Sequence, residues 1–223
     1  MPAIVIRKVL TDELLQVIRS TIASGPLVPG AQPVSGDASK VQPSLQLDQR
    51  SEASQKATEL LVAGCRENST FIAATWAEAM MTPVFCRQEP GMTYGNPIDG
   101  AFIGAPPNQL RFDVAVTISL VDGASYDGGE LVIDPAGVPR RWKGAAGDCI
   151  IYPADTPHRM EPVTKGVQEV ALLWIQSTVR DPAQRRILFD IKETLDTLDA
   201  QADRATSVEA LRRAYFNLIR MWA

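Results

Sequence analysis

The sequence predicts an α+β protein: a mainly β core flanked by N- and C-terminal helices. Two observations carry this. From residue 84 onward the chain is a series of short β-rich runs, "PVFCRQEPGMTYG", "LRFDVAVTISLVD", "GGELVIDPAG" and "VQEVALLWIQS", separated by Pro-Gly, Asp-Gly and Gly-Asp turns. That pattern belongs to an antiparallel sandwich or barrel. On either side of it, apolar residues recur at helical spacing.

The elements can be justified in order. "AIVIRKVL" alternates like a first strand. Thr11 is a good N-cap for a helix with Asp12 and Glu13 in its first turn. Leu14, Leu15, Ile18 and Ile22 give that helix one apolar face, and Gly25-Pro26 stop it. Residues 24–44 are rich in Gly, Pro, Ser and Ala and read as a long loop. "SEASQKATELLVAGC" returns to helical spacing. In "RFDVAVTISL", Val114, Val116 and Ile118 alternate, so one face is expected to be buried. "DCIIYP" and "VALLWI" are continuous apolar runs that suit central strands. Asp181-Pro182 is an N-cap and N1 pair. Thr206 and Glu209 form a capping box for a last helix, with Val208, Leu211, Tyr215, Leu218, Ile219 and Trp222 on one stripe. This pair of helices is read as packing on the sheet or on a partner subunit.

The chain of 223 residues is long enough for one domain with a helical annex. A net charge of -4 gives no basic footprint for nucleic acid. No apolar run reaches the ~20 residues needed to span a bilayer, and the first residues do not make a signal peptide. Cys65, Cys86 and Cys149 lack zinc spacing and read as small buried residues, so a reducing cytoplasm is the default. The one histidine, His158, excludes every site built on two or three histidines.

Three features carry chemistry. Asp99 lies in the Gly-rich turn of "TYGNPIDGAFIG". His158 lies at another strand-to-turn junction in "AGDCIIYPADTPHR", and Gln168 opens a strand ten residues on. Trp174 reads as core rather than as a stacking platform, and Glu130 in "YDGGELVI" as a turn residue that could reach the site. Arg140-Arg141 and Arg185-Arg186 read as solvated faces.

From about residue 84 to the C-terminus, the segments "PGMTYGNPIDGA", "LRFDVAVTISL", "SYDGGELVI", "AAGDCIIYPADTPHRMEPVTKG" and "WIQSTVRDPAQRRILFDI" agree in order and spacing with one family. The chain resembles the PKHD-type hydroxylases, a prolyl 4-hydroxylase-like branch of the Fe(II)/2-oxoglutarate dioxygenases. The resemblance implies a double-stranded β-helix (jelly roll) over 1–180, with N-terminal helices. It also implies a C-terminal helical annex over 181–223. In that family a His-x-Asp pair and a distal histidine hold iron on one face and leave positions for 2-oxoglutarate and oxygen. Asp99 matches the carboxylate ligand and His158 the distal histidine. The first histidine falls on Pro97. The arginine that pairs with the far carboxylate of 2-oxoglutarate falls on Gln168, a neutral amide. Tyr94, Arg111 and Asp113 flank the site in the resemblance, which implies that they line or brace the pocket, and Tyr94 and Arg111 are the other candidates to hold that cosubstrate.

Three functions stay open at this point. With both cofactor positions altered, the reading favoured is an enzyme acting on a small molecule by metal- and 2-oxoglutarate-independent acid/base chemistry. Asp99 and His158 would be its catalytic dyad, and no cofactor is expected. The alternative is a working Fe(II)/2-oxoglutarate hydroxylase or desaturase with an incomplete triad, Asp99 and His158 being the metal ligands. The third is a small-molecule-binding module without catalysis. No nucleic acid or membrane partner is expected, and the terminal helices could support a homodimer.

Overall fold

The computed structural model describes residues 3–30, 42–93, 99–105, 107, 109–135, 137–200 and 206–223. In chain order, β1 (Ile4–Ile6) leads into α1 (Asp12–Ala23), β2 (Leu27–Pro29), β3 (Gln42–Pro43) and β4 (Leu45–Leu47). Helices α2 (Glu52–Glu67) and α3 (Ser69–Thr75) follow, then β5 (Ala77–Met80), β6 (Val84–Gln88) and β7 (Met92–Thr93). The middle of the chain forms β8 (Phe102–Ile103), β9 (Leu110–Arg111), β10 (Val114–Ser119), β11 (Asp127–Gly128), β12 (Leu131–Ile133) and β13 (Arg140–Trp142). Strands β14 (Cys149–Pro153), β15 (His158–Met160), β16 (Val163–Lys165) and β17 (Gln168–Ser177) precede α4 (Pro182–Ala200) and α5 (Thr206–Trp222).

One eight-stranded antiparallel sheet runs β1-β14-β10-β17-β6-β4-β2, with β5 also pairing with β17. Opposite it stand the smaller β13-β12-β15 sheet and the β11-β16 pair. The large sheet is buried on both faces. Its outer face carries Ile4, Val116, Ile118, Leu173 and Ile175, which pack with Ile18 of α1, Leu61 of α2 and Phe71 of α3. Its inner face carries Ala115, Ile150, Tyr152, Val170 and Leu172, which meet Leu131, Ile133 and Met160 of the second layer. All six residues of β10 are therefore buried, where alternation alone predicted one buried face. The second face is covered by the second layer, which the period of the strand cannot reveal.

The helices follow local chemistry. Thr11 Oγ1 accepts the amide of Leu14 at 3.2 Å and starts α1. Asp181 Oδ1 accepts the amides of Ala183 and Gln184 at 2.7 and 3.1 Å, and Pro182 is the first residue of α4. Val208, Leu211, Tyr215, Leu218, Ile219 and Trp222 of α5 join Leu188 and Leu195 of α4 in a separate apolar cluster. The stretch 24–44, read as a loop, contains β2, which pairs with β4 at the edge of the large sheet. A three-residue edge strand beside Gly25-Pro26 has too little length to show a period. All three cysteines are free and buried, and burial pushes the Cys65 and Cys86 thiols up to about 12. Among the described residues no helix is long and apolar enough to cross a membrane.

Candidate active site

The two layers place His158 and Asp99 together near one end of the jelly-roll interior. His158 opens β15, where it pairs with Ile133 of β12. The turn before it is fixed by Thr156 N–H donating to the Pro153 carbonyl at 3.0 Å. Asp99 stands 3.8 Å away, Oδ1 to the His158 Nε2, and both side chains are about nine-tenths buried. The Tyr152 ring meets the imidazole edge-on at 5.3 Å.

Three details define what this pair can do. His158 Nδ1 lies 2.9 Å from the Thr156 carbonyl oxygen. A carbonyl only accepts, so Nδ1 carries the proton and neutral His158 presents the Nε2 lone pair to Asp99. At 3.8 Å the lone pair and the carboxylate oxygen share no hydrogen bond. The other oxygen, Asp99 Oδ2, is buried with no hydrogen-bond partner among the described residues. Burial raises the Asp99 pKa above its ordinary value, while the nearby imidazole and the Trp174 indole N–H oppose that rise.

Two converging electron-pair donors with a buried, unpartnered oxygen between the layers fit a cation. Atoms each about 2.1 Å from one ion are at most about 4.2 Å apart, so one ion can bind both. The backbone carbonyl on Nδ1 is the usual outer partner of a ligating histidine, because it fixes ring and tautomer. No third His, Cys, Asp or Glu completes a cluster among the described residues. Residue 97 and Tyr94 lie outside the described residues; at 97 the sequence supplies Pro, which has no side-chain donor.

Gln168 opens β17 and is 3% exposed. Its Nε2 donates to the Gly129 carbonyl at 2.7 Å and to the Tyr126 hydroxyl at 3.1 Å, while Oε1 has no partner. The packing there is closed. Gly129 has φ +68, and a Cβ on it would lie 2.9 Å from Tyr126 Cε2 and 3.0 Å from Gln168 Oε1. Gln88, across the strand pair, is also a buried neutral amide. Gln168 thus offers a second carboxylate neither charge nor a free N–H, so this position does not fit the far carboxylate of 2-oxoglutarate. No Arg or Lys among the described residues lines the cavity between Asp99 and Met160, whose volume is about 20 Å³, enough for a water.

The other sequence candidates fall around this centre. Arg111 is locked to Asp113 by two bonds of 2.6 and 2.7 Å. It lines an outer cleft of about 390 Å³ that shares Asp99 with the inner cavity. Asp113 Oδ2 also accepts the Ser177 amide at 2.9 Å, so it braces rather than lines the centre. Glu130 approaches Arg141 at 3.9 Å. Trp174, read as core, lines the cavity beside Asp99, and Phe112 stacks on it at 5.6 Å. Arg185, read as solvated, is 1% exposed. Its spacing to Leu188 and Phe189 was the available signal, because all three lie on one helix face.

The fold and this pair define the class first: an oxygenase-like jelly roll. An oxidoreductase of the 2OG-Fe(II) oxygenase family from Burkholderia pseudomallei superposes with a TM-score of 0.54 at 18% identity, over 77% of this chain and 82% of that one. The viral collagen prolyl hydroxylase of Paramecium bursaria Chlorella virus-1, in its 2OG complex, gives 0.52 at 18% identity, over 78% and 96%. At such identities the likeness is one of fold. The family comes from sequence. The PKHD-type hydroxylase C-terminal domain matches residues 182–223. A PKHD-type hydroxylase of Burkholderia ambifaria is 36% identical over 222 residues, 98% of this chain and 97% of that protein. The chain belongs to the PKHD-type hydroxylase family.

This corrects one expectation. The absence of any cofactor, inferred from Pro97 and Gln168, is overturned: a hydroxylase family on an iron- and 2-oxoglutarate-dependent fold implies both cofactors. The physical reason lies in the pair itself. Oδ1 and Nε2 stand 3.8 Å apart with no hydrogen bond between them, a spacing that one bound ion can bridge.

Proposed function

We propose that this chain is an iron-dependent hydroxylase acting on a small molecule, with Asp99 and His158 as the protein's two iron ligands. The observation that supports it is the pair's geometry: Oδ1 and Nε2 are 3.8 Å apart, with the imidazole proton committed to Thr156. Bound there, iron would supply the oxidising chemistry that activates oxygen against a C–H bond. The chain's own residues do the rest. Thr156 holds the imidazole so that its lone pair points inward. Tyr152 restricts the ring's rotation, and Trp174 keeps an N–H beside the carboxylate. Leu131, Met160 and Leu172 exclude bulk water on the inner side. Two protein ligands in place of three leave an additional position for water or substrate.

Gln168 does not supply the anchor for 2-oxoglutarate, so no role for that acid is assigned at this position. Buried free thiols suit a reducing compartment, and cytoplasmic residence is part of the reading. The test is oxygen consumption by the iron-loaded protein, supplied with 2-oxo acids and a panel of small organic substrates. The reading expects uptake that stops on chelation and is absent from His158→Ala. Uptake that survives both would sink it.

A further inference from the structure

The open volume at this site lies outside the jelly-roll interior. The inner cavity holds about 20 Å³, whereas the cleft on the other side of Asp99 holds about 390 Å³, the size of a small organic ligand. The cleft is walled by the β8–β9 hairpin, by Phe112 and Asp113, by the Pro153–Asp155 turn and by the start of α4.

Its charges do not cancel. Arg111, Arg180 and Arg185 line it, against Asp113 and Asp155, with Asp99 assigned to the metal. Arg111 and Asp113 neutralise each other. Arg185 is the unusual group. It is 1% exposed, yet its guanidinium is held only by carbonyls: those of Val179 and Arg180 at 2.8 Å each and of Asp113 at 3.1 Å. Its Nε has no partner, and no carboxylate pairs with it among the described residues. Burial outweighs the pull of the Asp113, Asp181 and Asp155 charges nearby and lowers its pKa. Arg180, at the rim, is exposed and makes no ion pair among the described residues. One positive charge remains in excess in a partly desolvated cleft. The rest of the surface is apolar and aromatic: Phe102 is 50% exposed, and Phe112 backs onto Trp174 beside Asp99.

We propose that this cleft is the substrate site, and that it selects a monocarboxylate with a flat apolar body. The carboxylate sits on Arg180, above the buried charge of Arg185. The apolar body lies along Phe102 and Phe112, with its reacting carbon towards Asp99. The assignment rests on the hydroxylase reading twice, for the direction of the ligand and for the commitment of Asp99 to iron, without which three arginines meet three aspartates.

The test is calorimetric titration of iron-loaded, oxygen-free protein with N-acetyl-L-phenylalanine and with N-acetyl-L-phenylalaninamide, which share shape and differ by one charge. The acid should bind about tenfold more tightly, and the preference should shrink with salt. Arg180→Gln should erase most of that preference, leaving amide affinity and iron content unchanged. Equal binding of acid and amide, no binding of either at millimolar concentration, or a preference untouched by Arg180→Gln would overturn the proposal. So would displacement of the acid by 2-oxoglutarate, which would make the cleft a cosubstrate site. Failure to take up iron would remove the hydroxylase reading instead. In metal-free protein Asp99 offsets the remaining charge, so the preference for the acid should be lost there, and a preference that persists would contradict the charge count.

Discussion

At the scale of single residues, the site turns on where one proton sits. Because Thr156 takes the N–H of His158, the imidazole meets Asp99 with a lone pair, and a cation relieves the resulting electrostatic conflict. Asp99→Asn should therefore stabilise the metal-free protein while abolishing metal binding. The sign follows from linkage. Burial holds the Asp99 pKa above its ordinary 3.8, so the folded state binds this proton more tightly than the unfolded chain. The stability this contributes is present below the unfolded pKa and is lost as pH rises through the folded one. Urea denaturation of Asp99→Asn and wild type should accordingly give a stability gap that widens as pH rises above the ordinary carboxylate range, and a constant gap would refute the assignment. Gln168 gives a second residue-scale prediction. Gln168→Glu loses the donor to Gly129 and buries a charge among neutral groups, so it should cost about 3 kcal/mol in the same assay. A cost below about 1 kcal/mol would mean that the amide is not committed as described.

At the scale of elements, helix caps and stripes carry the architecture. Thr11→Ala removes the acceptor for Leu14 N–H and should cost about 1 kcal/mol. Leu188 is fully buried between α4 and α5, so Leu188→Ala should cost about 2–5 kcal/mol by denaturant titration. These features were legible in the sequence because caps and 3.6-residue stripes are local. Thr11, Asp181-Pro182 and the Val208–Trp222 stripe all stand where the pattern put them. What was not legible depended on layers. The polar residues Thr117 and Ser119 of β10 are buried on the face that the second layer covers. Arg185 looked solvated by composition, although its position on the inward face of α4 gave a warning. The roles of Phe112 and Trp174 depend on which loop lies over them, and no local pattern encodes that.

At the scale of the whole molecule, a sheet buried on both faces acts as a rigid plate. Helices α1 to α3 back it on one side, and the second layer encloses the site on the other. Asp99 and His158 come from segments about sixty residues apart, yet both reach the same end of that plate. Family likeness singled out both residues and the expectation that they meet, as they do at 3.8 Å, but not the state of the space around them. That space is nearly closed towards Gln168, and open and lined by three arginines and three aspartates towards α4. The shape argues that the site has turned outward, with its inner end sealed by Met160, Gln168 and Tyr126.

The central claim is that two side chains suffice to hold the metal. Its most direct test is an oxygen-free titration of Fe(II) into wild type, Asp99→Ala and His158→Ala, read as bound iron per chain. The account predicts one iron per chain in the wild type and none retained in either variant, with all three proteins folded. A wild type that binds no iron, or variants that bind it as well as the wild type, would contradict it.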